Sequence, residues 1–217
     1  VVNVSHELRT PLTAIKGYVE TLEEEIEGDS KRYLDIIKRH TERLINIVAD
    51  LLLLSELEEK GLTQIKEEVN LEKVVKDVFK IFDQKAKEKG LKLNLICEGN
   101  PVVEGDAFKL EQMFINLIDN AIKYTERGEV LVYLKQTDEE VIVKVKDTGI
   151  GIPKEHLDRI FERFYVVDKS RSKKLGGTGL GLSIVKHIVL LHNGKIDVKS
   201  SPGEGTEFII TFPSRSF

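Results

Sequence analysis

Apolar residues at Val1, Val4, Leu8, Leu12, Ile15, Val19, Leu22 and Ile26 recur in alternating steps of three and four, the seam of one amphipathic helix. The stretch Glu27-Gly28-Asp29-Ser30 then predicts a stop and a fresh cap. Leu34, Ile37, Thr41, Leu44, Val48 and Leu51 renew the spacing in a second helix, which turns apolar almost all round at residues 51–54. A short turn makes the two helices an antiparallel hairpin, and the hairpin alone cannot bury so much apolar surface. Pairing two hairpins about a two-fold axis does, so we expect a homodimer through residues 1–60, built as a dimeric four-helix bundle.

Beyond the polar run Glu58-Glu59-Lys60-Gly61 the period changes. Residues 61–70 read as a hinge, and 71–217 as a second domain. A helix is predicted from Leu71 to Lys89, stopped by Gly90. Residues 91–96, 130–135 and 141–146 alternate with period two, and 196–198 and 207–212 flank the turn Pro202-Gly203-Glu204-Gly205 as a terminal hairpin. Helices fall between the strands, at 107–124 and 182–191. The expected class is α+β, a mixed sheet layered on helices that cover one face.

Composition narrows the function more than the fold. The chain has 217 residues, 41% of them hydrophobic, enough for the cores of one or two domains. With 33 basic and 37 acidic residues and a net charge of −4, nothing suggests an electrostatic nucleic-acid binder. The single cysteine, Cys97, excludes an internal disulfide, fits a reducing compartment and reads as a small core residue of a strand. No run of eighteen apolar residues occurs, so this stretch is expected to be soluble and to make no direct membrane contact. The chain opens at Val1, inside a helix already in progress, and reads as a fragment of something longer.

His6 lies off the first seam. Two residues past Val4 is about 200° around a helix, so the imidazole points to solvent while its neighbours pack, and Arg9 and Thr10 share its face. A core histidine would sit on the stripe. Pro11 permits two arrangements: Thr10-Pro11 starts the helix and leaves His6 in a loop, or one helix runs through and kinks within a turn of His6. The unbroken seam on both sides of Pro11 favours the kink.

Ser5-His6-Glu7-Leu8-Arg9-Thr10-Pro11-Leu12 resembles the phosphoacceptor box of sensor histidine kinases. The resemblance implies that His6 accepts a phosphoryl group from ATP. Glu7 can take the N–H of the other ring nitrogen and fix the tautomer, and Thr10 can orient a water for dephosphorylating the partner. It implies as that partner the receiver domain of a response regulator, with Ile15 or Tyr18 adding contacts. It also implies that the chain is the cytoplasmic portion of a membrane sensor with transmembrane and sensing segments upstream.

In the helix 107–124, Phe108, Met113, Phe114, Leu117, Ile118, Ala121 and Ile122 are read as the buried side, while Gln112, Asn116, Asn120 and Lys123 form one polar stripe. An Asn carbonyl can coordinate Mg²⁺ without adding charge beside a triphosphate, although the same stripe would also suit a solvated face. The segment resembles the N box of the same kinases, which puts Asn116 and Asn120 in its metal-binding places and Lys123 and Tyr124 in nucleotide-contacting ones. The strand 141–146 ends in Asp147-Thr148-Gly149-Ile150-Gly151, where a carboxylate can accept from the exocyclic amine of adenine and the glycines let backbone approach the base.

The next motifs follow at the family's spacing: Phe161-Glu162-Arg163-Phe164-Tyr165, then Gly176-Gly177-Thr178-Gly179-Leu180-Gly181-Leu182 opening a helix whose free N–H groups can hold phosphate. The nucleotide site is thus expected to include Asp147, Gly149, Gly151, Gly177, Thr178, Gly179, Leu180 and Gly181. No strand precedes the glycines, so this is not a dinucleotide fingerprint. Residues 166–175, with Lys169, Arg171, Lys173 and Lys174, read as a basic lid over the triphosphate, its near end anchored by Phe161, Phe164 and Tyr165; an ordinary charged loop is the alternative. Two positions depart from the family's pattern: Val166 replaces a usual basic residue, and Asn193 replaces a common glycine after His192. The remaining histidines, His40, His156, His187 and His192, show no metal-ligand spacing. The expected activity is ATP-dependent autophosphorylation on His6 followed by transfer to an aspartate, with ATP and Mg²⁺ as cofactors. The alternatives are a nucleotide-binding dimerisation scaffold and a superfamily ATPase without histidine chemistry.

Overall fold

The computed structural model describes residues 12–20, 22, 29–59, 67–168 and 177–214. Helix α1 covers 12–20, and α2 is one long helix, Asp29–Glu59. Within this hairpin Val19, Leu34 and Thr41 are buried, and Lys16 reaches across to Glu42 at 3.4 Å. Ile37, Leu44 and Leu51, seven residues apart on α2, stay 38–49% exposed. Among the described residues, a stripe at heptad spacing has therefore found no full cover.

The remaining elements are β1 (Glu67–Asn70), α3 (Leu71–Glu88), β2 (Leu91–Glu98), β3 (Val102–Gly105), α4 (Ala107–Tyr124), β4 (Gly128–Gln136), β5 (Glu140–Asp147), a short 3₁₀ turn, α5 (Gly181–Leu191), β6 (Lys195–Ser201) and β7 (Gly205–Pro213). The main sheet has the order β2-β4-β5-β7-β6. Only β2 and β4 are parallel, because the connection carrying α4 crosses one face between them. Strand alternation aims Val130, Val132, Leu134, Val141, Val143, Val145, Phe208, Ile210 and Phe212 at α3, α4 and α5, and all of these are buried.

The helix starts are locally encoded. Asn70 Oδ1 accepts from Lys73 N (3.0 Å) at α3, and Asp106 Oδ1 accepts from Lys109 N (3.1 Å) at α4. The end of α4 is capped from outside: Lys89 Nζ donates to the carbonyls of Ile122 (2.6 Å), Lys123 (3.2 Å) and Thr125 (3.2 Å).

Three expectations need correction. Residues 67–70, assigned to the hinge, form β1 and pair antiparallel with β3, so the folded domain begins earlier than residue 71. Phe108 is 62% exposed. Leu110 takes the inward position instead, in step with Phe114, Leu117 and Ala121. Finally, the end of α2 is not confined to the hairpin, because Leu54 and Leu57 are buried in the same core as the sheet, where α2 lies against α5.

Candidate nucleotide site

A cavity of about 380 Å³ opens between α4, the strand ends, the start of α5 and α2. Its α4 wall is the polar stripe: Gln112, Asn116, Asn120, Lys123 and Tyr124 all line it, one turn apart, while the opposite side of the same helix is buried. The asparagines face the cavity and not the core. Asn116 donates its amide to the carbonyl of Gln112 (3.0 Å). That turns its Oδ1 toward Gly181 so closely that a Cβ there would stand 2.7 Å from it. Glycine at 181 is what lets an amide oxygen meet a helix start.

Asp147 forms the floor. Its Oδ1 accepts from the N–H groups of Gly149 (2.8 Å) and Thr206 (3.3 Å). Burial pushes its carboxyl above the usual range and outweighs those two bonds. The backbone around it is packed tightly: a Cβ on Gly149 would meet the Tyr124 carbonyl at 2.5 Å, and one on Gly151, at φ 70°, the Ser201 carbonyl at 1.9 Å. Gly151 lines the cavity, whereas Gly149 holds the turn behind it.

At the other end, Gly177, Thr178, Gly179 and Gly181 line the cavity, and no side chain caps the first turn of α5. Its N–H groups are available to an anion. Leu180 contributes backbone only, since its side chain is buried in the core. Gly179, at φ 76°, accepts from Phe164 N (2.9 Å), which ties the glycine loop to the aromatic motif. Of that motif's anchors, Phe161 packs edge-on against Phe208 and Tyr165 bonds His156 (2.6 Å) beneath the Arg159 guanidinium. Phe164 sits at φ 60° and is 56% exposed.

Lys123 is held in place by Asp119 (2.6 Å), which also pairs with Lys85. Burial pushes the Asp119 carboxyl up, but the two ammoniums outweigh it and hold the group below the usual range. The Lys123 cation is thus presented on the cavity wall by a fixed counterion. Val166 lines the cavity without a charge, and Asn193 sits at φ 55°, the left-handed backbone a glycine would otherwise supply. His187 and His192 bond backbone carbonyls, and His192 also accepts from Asp106 N (3.0 Å). Among the described residues no cluster of His, Cys, Asp and Glu could hold a metal.

His6, Glu7 and Thr10 lie outside the described residues, as do the lid residues Lys169, Arg171, Lys173 and Lys174. The reading from sequence missed Thr206 and Phe208, which the β5–β7 pairing brings to the Asp147 end of the cavity, and missed the α2 wall of Asn46, Ala49 and Asp50 altogether. Thr178 Oγ donates to Asp50 Oδ2 at 2.8 Å. Nothing in the local period marks Asp50, because its partner is 128 residues away.

A mixed sheet layered on three helices, with an amide-bearing helix facing a glycine-rich helix start across a buried strand-end carboxylate, defines an ATP-binding domain of the kind that follows a phosphoacceptor hairpin. Residues 105–216 match the family described as histidine kinase-, DNA gyrase B- and HSP90-like ATPase, and residues 1–60 match the His Kinase A (phospho-acceptor) domain. The sensor protein kinase WalK of Staphylococcus haemolyticus (strain JCSC1435) is 42% identical over 220 residues, covering 98% of this chain and 36% of the relative. The chain therefore spans little more than a third of that relative's length. Among solved structures, full-length ShkA in complex with AMPPNP superposes with a TM-score of 0.80 at 29% identity, over 98% of this chain and 45% of that one. The histidine kinase ThkA in complex with the response regulator protein TrrA superposes at 0.69 with 27% identity, over 99% and 61%. The chain belongs to the sensor histidine kinases of two-component systems. Among the described residues no helix is long and apolar enough to cross a membrane.

Proposed function

We propose that this chain is the kinase core of its parent protein: ATP binds in the cavity, and His6 takes the γ-phosphoryl group and passes it to an aspartate of a response regulator. The observation that carries the reading is the convergence on one cavity of a buried carboxylate, a paired amide stripe, a fixed lysine and an uncapped helix start. Each suits one part of ATP. The outward oxygen of Asp147 can accept from the adenine amine while its partner oxygen is held by backbone N–H groups. The start of α5 and Lys123 suit the phosphates.

Asn116 and Asn120 are the residues that would hold Mg²⁺. Their neutral oxygens fit a cation that takes much of its shell from phosphate and water, and Asn116 Oδ1 already faces the phosphate end at Gly181. Bound there, Mg²⁺ supplies charge neutralisation for the triphosphate. Phosphoryl transfer asks mainly for positioning, and the hairpin contributes to that. The pairing anchored by Lys16–Glu42 runs the start of α1 toward the same end of α2 as Asn46 and Asp50, which line the cavity. Dimerisation through residues 1–60 is supported by the uncovered stripe Ile37, Leu44 and Leu51. Exposed Ile15 and Tyr18 on α1 suit regulator contacts. The phosphoacceptor match over residues 1–60 favours this reading over a superfamily ATPase without histidine chemistry.

Incubation with γ-labelled ATP tests it. The expected label is lost in acid and kept in base, as a phosphoramidate requires. Acid-stable label, or none, contradicts the proposal.

A further inference from the structure

In the ATP-binding reading the α2 wall serves only to place the hairpin, and its Asp50 has no part in holding the nucleotide. Asp50 stands on that wall with its carboxylate in the cavity shared by Asn116, Lys123 and the glycine loop, and it accepts a hydrogen bond from the hydroxyl of Thr178. Thr178 Oγ in turn accepts from Leu180 N at 3.2 Å, so the hydroxyl is committed on both sides, within the loop that leads into α5. Burial raises the Asp50 carboxyl above its usual range, more than the Thr178 bond and the Lys123 charge lower it. The contact therefore carries a desolvation cost, which the burial of neighbouring Leu54 and Leu57 against the sheet domain offsets.

We propose that Asp50 is an electrostatic latch: α2, when docked, sets a carboxylate against the phosphate end of the cavity, where it competes with a nucleoside triphosphate for Thr178 and Lys123. A triphosphate entering the cavity meets this further like charge, beside those of Asp119 and Asp147, only while α2 is docked. Docking weakens its binding, and by reciprocity the bound triphosphate loosens α2. The polyphosphate thus frees the ATP-binding domain from the helix that it must leave or slide along to present its substrate. A nucleoside without phosphates has no such effect. The inference rests on reading the cavity as the ATP site.

The test compares binding of ATP, ADP and adenosine, with Mg²⁺ present, to the 217-residue chain and to its Asp50→Asn variant. Asn keeps an acceptor for Thr178 and removes the charge. ATP should bind the variant about three- to tenfold more tightly, the scale of one screened charge pair across a few ångströms, with ADP gaining less and adenosine nothing. In the unaltered chain, ATP but not adenosine should speed hydrogen exchange of the α2 amides at 46–54, which tests the latch without any substitution. Equal or weaker ATP binding by the variant, or exchange indifferent to ATP, overturns the latch. Binding of no nucleotide by the unaltered chain overturns the ATP reading itself, and the latch with it.

Discussion

Asp147, which we propose accepts from adenine, shows at the scale of one residue how a buried carboxylate costs stability. Burial raises its folded carboxyl above the unfolded one, so the native state holds its proton more tightly than the unfolded chain does. The sign follows: the ionised group opposes folding at neutral pH, and the penalty is relieved as pH falls through the raised value toward the ordinary carboxylate range. Asp147→Asn removes that charge and can still accept from Gly149, but it turns an amide toward the adenine amine, donor against donor. The variant should melt at the same temperature or a few degrees higher at neutral pH while binding ATP at least about tenfold more weakly, the cost of one good hydrogen bond to a charged acceptor. Calorimetry on the free protein and titration with ATP check the two halves separately. A variant that melts lower and binds as before would contradict both.

At the scale of elements, the helices show which features were legible. The bounds of α4 were readable because Asp106 caps it and an apolar face runs its length. Its polar stripe was readable for the same reason. Phe108 was misread because apolar character alone does not give direction in a first turn, where Leu110 already fills the inward place. Strands β1 and β3 were missed because four residues such as Glu67-Glu68-Val69-Asn70 carry no usable alternation; their pairing and the bond from Leu71 N to Pro101 O (2.9 Å) make them strands. The cap on the far end of α4 was equally hidden, since Lys89 lies 33 residues from the Ile122 carbonyl it serves. Lys89→Met should remove a cation from a helix C-terminus and lower stability by about 1–2 kcal/mol. Urea unfolding read by circular dichroism measures this, and an unchanged midpoint would show that the three carbonyls do not need the ammonium.

The whole molecule joins two units of different character. The hairpin leaves an apolar heptad stripe uncovered, whereas the sheet domain closes its core and recruits the end of α2 to finish it. The stripe predicts the assembly: Leu44→Asp puts a charge in the middle of the expected seam and should convert a dimer to a monomer in sedimentation, with nucleotide binding retained. A variant that stays dimeric would move the interface elsewhere. The part of the site built by one helix and two loops could be read from motifs. The α2 wall could not, because it exists only once the two units are docked.

The central claim is that the cavity carries ATP for the benefit of His6, and it is most directly tested by measuring γ-phosphoryl labelling and ATP binding side by side in the chain and in its His6→Ala variant. Labelling should vanish in the variant while ATP affinity stays within about twofold, since the groups proposed to bind ATP, Asn116, Asn120, Lys123, Asp147 and the start of α5, are all retained. Labelling that persists in His6→Ala would contradict it.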